Sequence, residues 1–163
     1  FLYTNGWDFW EVGGFLAGWT VFYGIVQAIA PNIIHLTNNG KTVSSKSILV
    51  WSISLALVPL CLLGIMLAKT DLLLLLSGLV LFGFVFAINS SLHSFLIVAY
   101  AGSKKAAEDI GFYYAANAAG RLFGTFLSGL LFQLGGVLAC LAGTTLFLIA
   151  TSFVVWRLPE LKT

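Results

Sequence analysis

One arginine stands inside a long apolar segment, where charged residues are rare. Arg121 lies in a predicted membrane helix over residues 110–134, about eleven residues, or roughly 16 Å, from its start. A charge near the bilayer centre costs about 2.5–3.5 kcal/mol, and such residues usually face a bundle interior or a water-filled path. The guanidinium is therefore either a binding group for a substrate or a buried structural group satisfied by helix carbonyls or a carboxylate.

The neighbours of Arg121 place it on a polar face of that helix. At about 100° per residue, five polar side chains fall within about 120° of one another: Tyr113, Asn117, Arg121, Thr125 and Ser128. We predict that Arg121, Asn117 and Tyr113 bind substrate. The small residues Ala116, Gly120 and Gly124 alternate with this face and favour close helix packing.

A second polar group lies in the predicted helix over residues 72–100. Asn89 and His93 are four residues apart, about 40° around the helix, so they share a face. A histidine there could carry a proton or contact substrate, or it could be a neutral residue bonded between helices. We predict Asn89 and His93 as further substrate-binding residues, with Gln27 as a weaker candidate.

The elements that position these residues follow from hydropathy and charge. Charged residues make up only 9% of the 163 residues, and the mean hydropathy is +1.00. Crossing a bilayer takes about 20 helical residues, and long stretches without charge reach that length. The sequence predicts an all-α polytopic membrane bundle with five complete helices, over residues 9–30, 47–68, 72–100, 110–134 and 137–157, after the tail of another helix at residues 1–3.

Turn and cap signals separate these helices. The signals are Asn5-Gly6, the carboxylates Asp8 and Glu11 in a first turn, Pro31 after a helix end, Ser44 or Ser45 as a cap, Pro59 as a kink and Gly135-Gly136 as a turn.

Two of the predicted helices differ from the others in polarity. Residues 47–68 and 137–157 contain few strongly polar groups, so we expect these two helices to face lipid.

The basic residues predict an orientation. If the helices alternate in direction, six basic residues share one side of the membrane and only Lys69 lies on the other. The positive-inside rule then makes the first side and the C-terminus cytoplasmic, in the plasma membrane, with Asp8, Glu11 and Asp71 outside. The six are Lys41, Lys46, Lys104, Lys105, Arg157 and Lys162. Because the sequence begins with Phe1 and not with Met, and no basic leader follows, we expect the chain to be the C-terminal fragment of a longer protein.

The sequence lacks the residue patterns that are typical of several other function classes. A net charge of +2 without a basic cluster argues against nucleic-acid binding. Cys61 and Cys140 lie apart inside apolar helices, so we expect neither a metal site nor a cofactor. The run Asn39–Thr42 lacks the first glycine and the preceding strand of a phosphate-binding loop, and Ser91 with His93 lacks a nucleophile turn, so we expect no enzyme.

Three segments resemble a known family. Residues 112–125, FYYAANAAGRLFGT, followed by Ser128-Gly129, resemble the eleventh helix of a major facilitator superfamily permease. Residues 89–94, NSSLHS, with Ala99–Ala101, and residues 11–15, EVGGF, with residues 24–28, GIVQA, extend the resemblance over nearly the whole chain. The subfamily it is most similar to is the organoarsenical efflux permeases of bacterial arsenic-resistance operons.

This resemblance implies a twelve-helix secondary transporter, of which the chain would be the tail of helix seven and helices eight to twelve. It implies export of an arsenylated phosphoglycerate made when glyceraldehyde-3-phosphate dehydrogenase accepts arsenate, with membrane lipid and the N-terminal half as partners. Arg121, Asn117 and Tyr113 would bind the anion. Residues 30–46 lack the Asp and the Arg pair of the superfamily's basic loop motif, a departure from the family pattern.

Two alternatives stay open at this point. The chain could be a permease for another organic anion or a drug, which competition assays in everted vesicles would distinguish. It could instead be a membrane-embedded enzyme or an interaction subunit without a transport path. Six further helices with weak internal symmetry upstream would support the permease, and an upstream soluble catalytic domain would contradict it.

Overall fold

Four long helices form the protein in the computed structural model, which describes residues 2–37, 44–68, 72–100 and 106–159. They are α1 (Phe9–Thr37), α2 (Ser45–Leu67), α3 (Leu72–Tyr100) and α4 (Ala106–Trp156), after a short 3-10 helix at Tyr3–Asn5. The described ranges contain no strand. By length and composition, all four helices are able to cross a membrane. The chain is therefore an all-α, multi-pass membrane bundle, as its hydropathy predicts.

The start of α1 is fixed by two acidic residues. The backbone N–H of Asp8 donates to the Glu11 carboxylate at 2.9 Å, and that of Glu11 donates to the Asp8 carboxylate at 2.7 Å. This reciprocal capping box satisfies two donors that a helix start otherwise leaves open. Just before it, Gly6 adopts a left-handed φ of 87° and ends the 3-10 helix that occupies the place of the predicted helix tail.

The end of α1 differs from the prediction. Pro31 does not end the helix, which continues to Thr37. Proline removes one helical hydrogen bond, but the turn after it carries Ile34, which is only 8% exposed and packs in the same cluster as Val26 and Ala30. Burial of that turn against neighbouring helices offsets the missing bond. Pro59 likewise lies inside α2, as predicted.

The following two helices agree with their sequence signals. The Ser44 hydroxyl caps α2 by accepting the backbone N–H of Ser47 at 3.2 Å. α3 spans Leu72–Tyr100, as predicted. Thr70 and Asp71, the predicted caps of α3, lie outside the described residues.

The last helix departs from the predicted count. Instead of two helices joined by a turn, α4 is one 51-residue element with non-helical backbone angles at Gly135 and Gly136, where φ of Gly136 is +61°. The Cys140 thiol donates to the Ser128 carbonyl at 3.5 Å, although twelve residues of straight helix would separate them by about 18 Å. The chain therefore folds back at the two glycines into a first arm, residues 106–134, and a second arm, residues 137–156. The predicted turn at Gly135-Gly136 lies where the chain reverses, but the two arms follow each other without a connecting segment, so the structure has four long helices instead of the five predicted.

The core lies around α3. Its buried residues, among them Ile88 and Leu92, pack in one cluster with α1, α2 and the end of α4. A second cluster joins Leu62 of α2, Leu75 of α3 and Leu141 of the second arm. Exposed apolar residues occur on all four helices, so exposure alone does not distinguish α2 and the second arm, the two helices predicted to face lipid. These exposed residues include Val50, Leu57, Leu67, Leu146, Phe147 and Phe153.

Two contacts define one end of the bundle, which we call the Pro159 end. The hydroxyls of Ser45 and Tyr100 both donate to the Pro159 carbonyl, so the start of α2 and the ends of α3 and α4 meet there. The Arg157 guanidinium lies over the rings of Phe153 and Trp156, at 5.1 and 5.3 Å from their centroids. An arginine among aromatic rings is typical of a membrane interface.

The predicted orientation is only partly accessible to the structure. Of the basic residues used for it, Lys46 and Arg157 are described and lie near the Pro159 end, while the carboxylates Asp8 and Glu11 are described at the start of α1. The remaining charged residues used for it lie outside the described residues: Lys41, Lys69, Asp71, Lys104, Lys105 and Lys162. Which side of the membrane the Pro159 end faces stays a prediction.

Six hydroxyls within the helices bond their own helix. Each donates to the carbonyl four residues back, which satisfies the group without a neighbour. The bonds run from Thr20 to Leu16, Ser94 to Ser90, Thr125 to Arg121, Thr145 to Leu141, Thr151 to Phe147 and Ser152 to Leu148. Two other polar contacts join helices inside the bundle, Ser52 to Asn89 and Trp19 to Leu79.

Candidate functional site

A cleft of about 1030 Å³ lies between α1, α3 and the first arm of α4. It mixes aromatic rings, hydroxyls and amides with a single charged side chain. The lining residues are Trp19, Thr20, Tyr23 and Gln27 of α1, Phe86, Ser90 and Ser94 of α3, and Tyr113, Tyr114, Asn117, Ala118 and Arg121 of the first arm.

Arg121 is that charged residue. Its side chain is exposed, and its guanidinium forms no hydrogen bond or ion pair with any residue that the structure describes. No carboxylate lines the cleft among those residues. The five guanidinium N–H donors, arranged in a planar fork, are thus available to an oxyanion.

The cleft occupies the half of the bundle next to the Pro159 end. At about 1.5 Å per residue, Phe86 lies about 21 Å, and Ser94 about 9 Å, from the last residue of α3. On the first arm, which starts at the same end, Arg121 lies about 22 Å and Tyr113 about 10 Å from Ala106. Arg121 therefore lies near the middle of the bundle, at a depth similar to that of Phe86, and Tyr113 and Ser94 lie closer to the Pro159 end.

Trp19 joins the wall of the cleft to the core. Its indole N–H donates to the Leu79 carbonyl at 2.8 Å, and a Cβ at Gly83 would come within 2.9 Å of the indole ring. Only glycine at position 83 leaves room for this ring against α3. The Trp19 ring also stacks on Tyr23, with 5.9 Å between the ring centroids and 13° between the ring planes. The packing of Trp19 against Gly83 therefore positions two residues of the cleft wall.

The substitution Gly83→Ala tests the contact between Trp19 and α3. The added methyl group meets a rigid ring that is also held by a hydrogen bond, so Trp19 must move away from α3. Overpacking costs about 1–3 kcal/mol, while alanine in a helix regains about 1 kcal/mol, so we expect a net loss of about 1 kcal/mol of stability. Unfolding by denaturant in detergent, followed by tryptophan fluorescence, measures it.

The matched control is Gly24→Ala on α1, where an added Cβ meets nothing within 4 Å. We expect this variant to be as stable as the original protein or slightly more so. If both variants unfold at the same denaturant concentration, the close packing of Trp19 against Gly83 does not contribute to stability.

The structure brings three of the sequence-predicted site residues together. Arg121, Asn117 and Tyr113 line the cleft, and the weaker candidate Gln27 lies opposite them on α1. The predicted polar face is shorter than expected at its far end, since Thr125 and Ser128 do not line the cleft. The Thr125 hydroxyl donates to the Arg121 carbonyl at 2.9 Å instead.

The other two predicted residues lie elsewhere. Asn89 is only 6% exposed, and its side-chain oxygen accepts the Ser52 hydroxyl at 3.1 Å, so it faces α2. His93 Nδ1 lies 2.9 Å from the Asn89 carbonyl, and its buried Nε2 has no hydrogen-bond partner among the described residues. Neither residue lines the cleft. Their substrate role stays a prediction that the cleft does not support.

Sequence reasoning missed the residues of α3 that do line the cleft. Phe86, Ser90 and Ser94 follow one another at intervals of four, and Ser90 and Ser94 each lie about 100° around the helix from the residue before them, Asn89 and His93. The repeat is visible in the sequence, but serines are common in membrane helices and do not by themselves indicate a cleft. The aromatic residues Trp19 and Tyr23 of the wall likewise carry no sequence signal that separates them from core residues.

The small-residue face of the first arm does not pack as predicted. An added Cβ at Gly120 or Gly124 would meet nothing within 4 Å, and the same holds for Gly14 and Gly18 of α1. Within the described residues, close approach occurs instead at Gly78 against Leu62 and at Gly143 against Leu131. The first arm contributes no buried residue to α4, since all four lie on the second arm.

The cleft thus combines an unpaired cation with neutral donors and aromatic surface, inside a bundle of membrane-spanning length. Comparisons of the chain with protein-family models, curated proteins and solved structures find no match. Function is therefore inferred from the chemistry of the cleft and from the sequence.

Proposed function

We propose that the chain forms the substrate-binding half of a secondary transporter that exports an organic anion across the plasma membrane. The observation that carries this proposal is Arg121, a cation without a partner among the described residues, near the middle of the bundle in a cleft between helices of membrane-spanning length. Such residues usually mark a substrate path. An enzymatic role has no comparable support, because the residues that line the cleft include no nucleophile paired with a base.

The polar residues of the cleft suit an oxyanion. The Arg121 fork can donate two parallel hydrogen bonds to a carboxylate, phosphate or arsenate group. Asn117 and Tyr113 lie one and two turns closer to the Pro159 end on the same arm, and they offer neutral amide and hydroxyl donors. An anion entering from the Pro159 end would pass these donors before it reaches the charge.

The position of the cleft agrees with export. If the Pro159 end is cytoplasmic, as the basic residues predict, Tyr113 and Ser94 of the cleft lie in the cytoplasmic half of the membrane. Alternating access would then expose the cleft first to one side and next to the other through movement against a second half, the N-terminal half that the resemblance implies. The resemblance to organoarsenical efflux permeases makes arsenylated phosphoglycerate the specific substrate we propose, supplied by glyceraldehyde-3-phosphate dehydrogenase.

Uptake into everted membrane vesicles tests this function. Vesicles from cells that express the complete protein receive glyceraldehyde-3-phosphate dehydrogenase with its substrates and labelled arsenate, so that the organoarsenical forms outside. We expect labelled arsenic to accumulate inside only when the enzyme, arsenate and transporter are all present, and 3-phosphoglycerate to slow the uptake.

Two controls make the outcome decisive. Omitting the dehydrogenase tests whether arsenate itself is moved, and vesicles without the transporter give the passive leak. Accumulation that persists without the dehydrogenase would contradict the organoarsenical as substrate. Absence of uptake for every organic anion offered, with the protein present in the vesicle membrane, would contradict the transport function.

A further inference from the structure

We infer that the cleft binds a substrate class with one anionic group joined to an aromatic ring. This inference rests on the proposed function in one respect, since it takes the cleft to be the substrate site. It departs from the proposed function in the substrate, because the composition of the wall favours one negative charge beside a ring over the polyanionic organoarsenical that the sequence resemblance suggests. The binding test below decides between the two.

The first observation is the charge of the cleft. Arg121 is the only charged residue among those that line it, and the other polar groups are neutral hydroxyls and amides. A charge inside a membrane protein is costly unless it is paired. One arginine balances one negative charge, so a polyanion would leave further charges uncompensated against this wall.

The second observation is the aromatic surface. Trp19, Tyr23 and Phe86 line the cleft and form a continuous row, with Trp19 stacked on Tyr23 and Tyr23 at 5.4 Å from Phe86. Phe86 is 37% exposed, and Tyr114 on the facing arm is 65% exposed. Aromatic surface open to a cleft can stack on a planar ring or cover an apolar group, and it offers little to a small hydrophilic anion.

The third observation is the geometry of the two together. Phe86 on α3 and Arg121 on the first arm lie at nearly the same depth, about 21 and 22 Å from the Pro159 end. The volume of about 1030 Å³ lies at the upper end of the range of sites for drug-sized ligands. A ring against the row of Trp19, Tyr23 and Phe86 can therefore coexist with an anionic group at Arg121.

Equilibrium binding to the full chain in lipid nanodiscs tests this substrate class. The probes are 2-naphthoate, acetate and 3-phosphoglycerate: an aromatic monoanion, a monoanion without a ring and a polyanion without a ring. Nanodiscs without protein correct for partition into lipid. We expect 2-naphthoate to bind at least tenfold more tightly than either of the other two anions.

Variants separate the ring site from the charge site. Phe86→Leu keeps an apolar side chain in the cleft and should weaken 2-naphthoate about tenfold with little effect on acetate. Trp19→Leu should do the same, and helicity by circular dichroism checks its folding because Trp19 also bonds α3. Phe126→Leu is the matched control, since Phe126 is 73% exposed on the same arm as Arg121 but does not line the cleft.

The outcomes distinguish this inference from the proposed function. If 3-phosphoglycerate binds more tightly than 2-naphthoate and Phe86→Leu changes neither, the aromatic class is wrong while the anion site stands. If no probe binds to the folded chain, or if 2-naphthoate binds equally to Arg121→Leu, the anion site itself is wrong.

Discussion

Under the proposed function, replacing Arg121 with leucine is expected to abolish arsenate resistance and to lower the affinity for the anionic substrate by about 100-fold or more. A charge-assisted hydrogen bond contributes about 1.5–3 kcal/mol, and a guanidinium forms two with one oxyanion, so a loss of about 3 kcal/mol is the lower bound. At 1.4 kcal/mol for each factor of ten, this corresponds to about two orders of magnitude. Growth on arsenate and substrate binding measure the two effects.

The same substitution should not harm the fold. Arg121 contributes no hydrogen bond from its guanidinium to the described residues, and a leucine at mid-membrane avoids a cost of about 2.5–3.5 kcal/mol. The abundance of Arg121→Leu in the membrane should therefore equal or exceed that of the original protein. Arg121→Lys is the matched control, because it keeps the charge without the fork and should lose only about tenfold in affinity. Full resistance in Arg121→Leu cells would contradict the anion-site role.

The second large effect is expected from Gly136→Ala. Gly136 has φ +61° and ψ −150°, a combination that essentially only glycine adopts. Alanine in that conformation costs about 1–3 kcal/mol, and the strain lies at the point where the two arms of α4 fold back on each other. We expect a lower unfolding temperature and weaker packing of the second arm against α2. Thermal unfolding in detergent measures the stability.

Gly129→Ala is the control for this experiment. Gly129 lies in the same helix, has ordinary helical geometry, and an added Cβ there meets nothing within 4 Å. Alanine at that position should leave the unfolding temperature unchanged or raise it, since alanine favours helix by about 1 kcal/mol over glycine. If the two variants behave alike, the fold-back does not depend on the conformation of Gly136.

The fold was predictable where one local signal dominates. The bounds of α3 follow from the polar breaks around an uninterrupted apolar run, and the Ser44 cap of α2 from its position before that helix. The prediction failed where tertiary contacts outweigh a local signal. Pro31 looks like a helix end, but burial of Ile34 carries α1 beyond it. Gly135-Gly136 reverses the chain as predicted, but no connecting segment separates the two arms.

The candidate site was predictable in part for a similar reason. A charged residue in an apolar helix is rare and indicates a polar environment, so Arg121 could be selected from the sequence. Its neighbours Asn117 and Tyr113 on the same helix face then follow from spacing alone. The face of α3 that meets the cleft could not, because it depends on which neighbour satisfies Asn89. Ser52 of α2 does so, which turns Ser90 rather than Asn89 toward the cleft.

The hydroxyls that bond their own helices bear on how the chain is assembled during synthesis. Because Thr20, Thr145 and Ser152 are satisfied without a neighbour, each helix can enter lipid singly as it leaves the ribosome. The Trp19 indole and the Ser52 hydroxyl differ, because their acceptors, Leu79 and Asn89, both belong to α3. We therefore expect α1 and α2 to pack together stably only after α3 has been inserted, because α3 supplies the acceptor for one polar group of each helix.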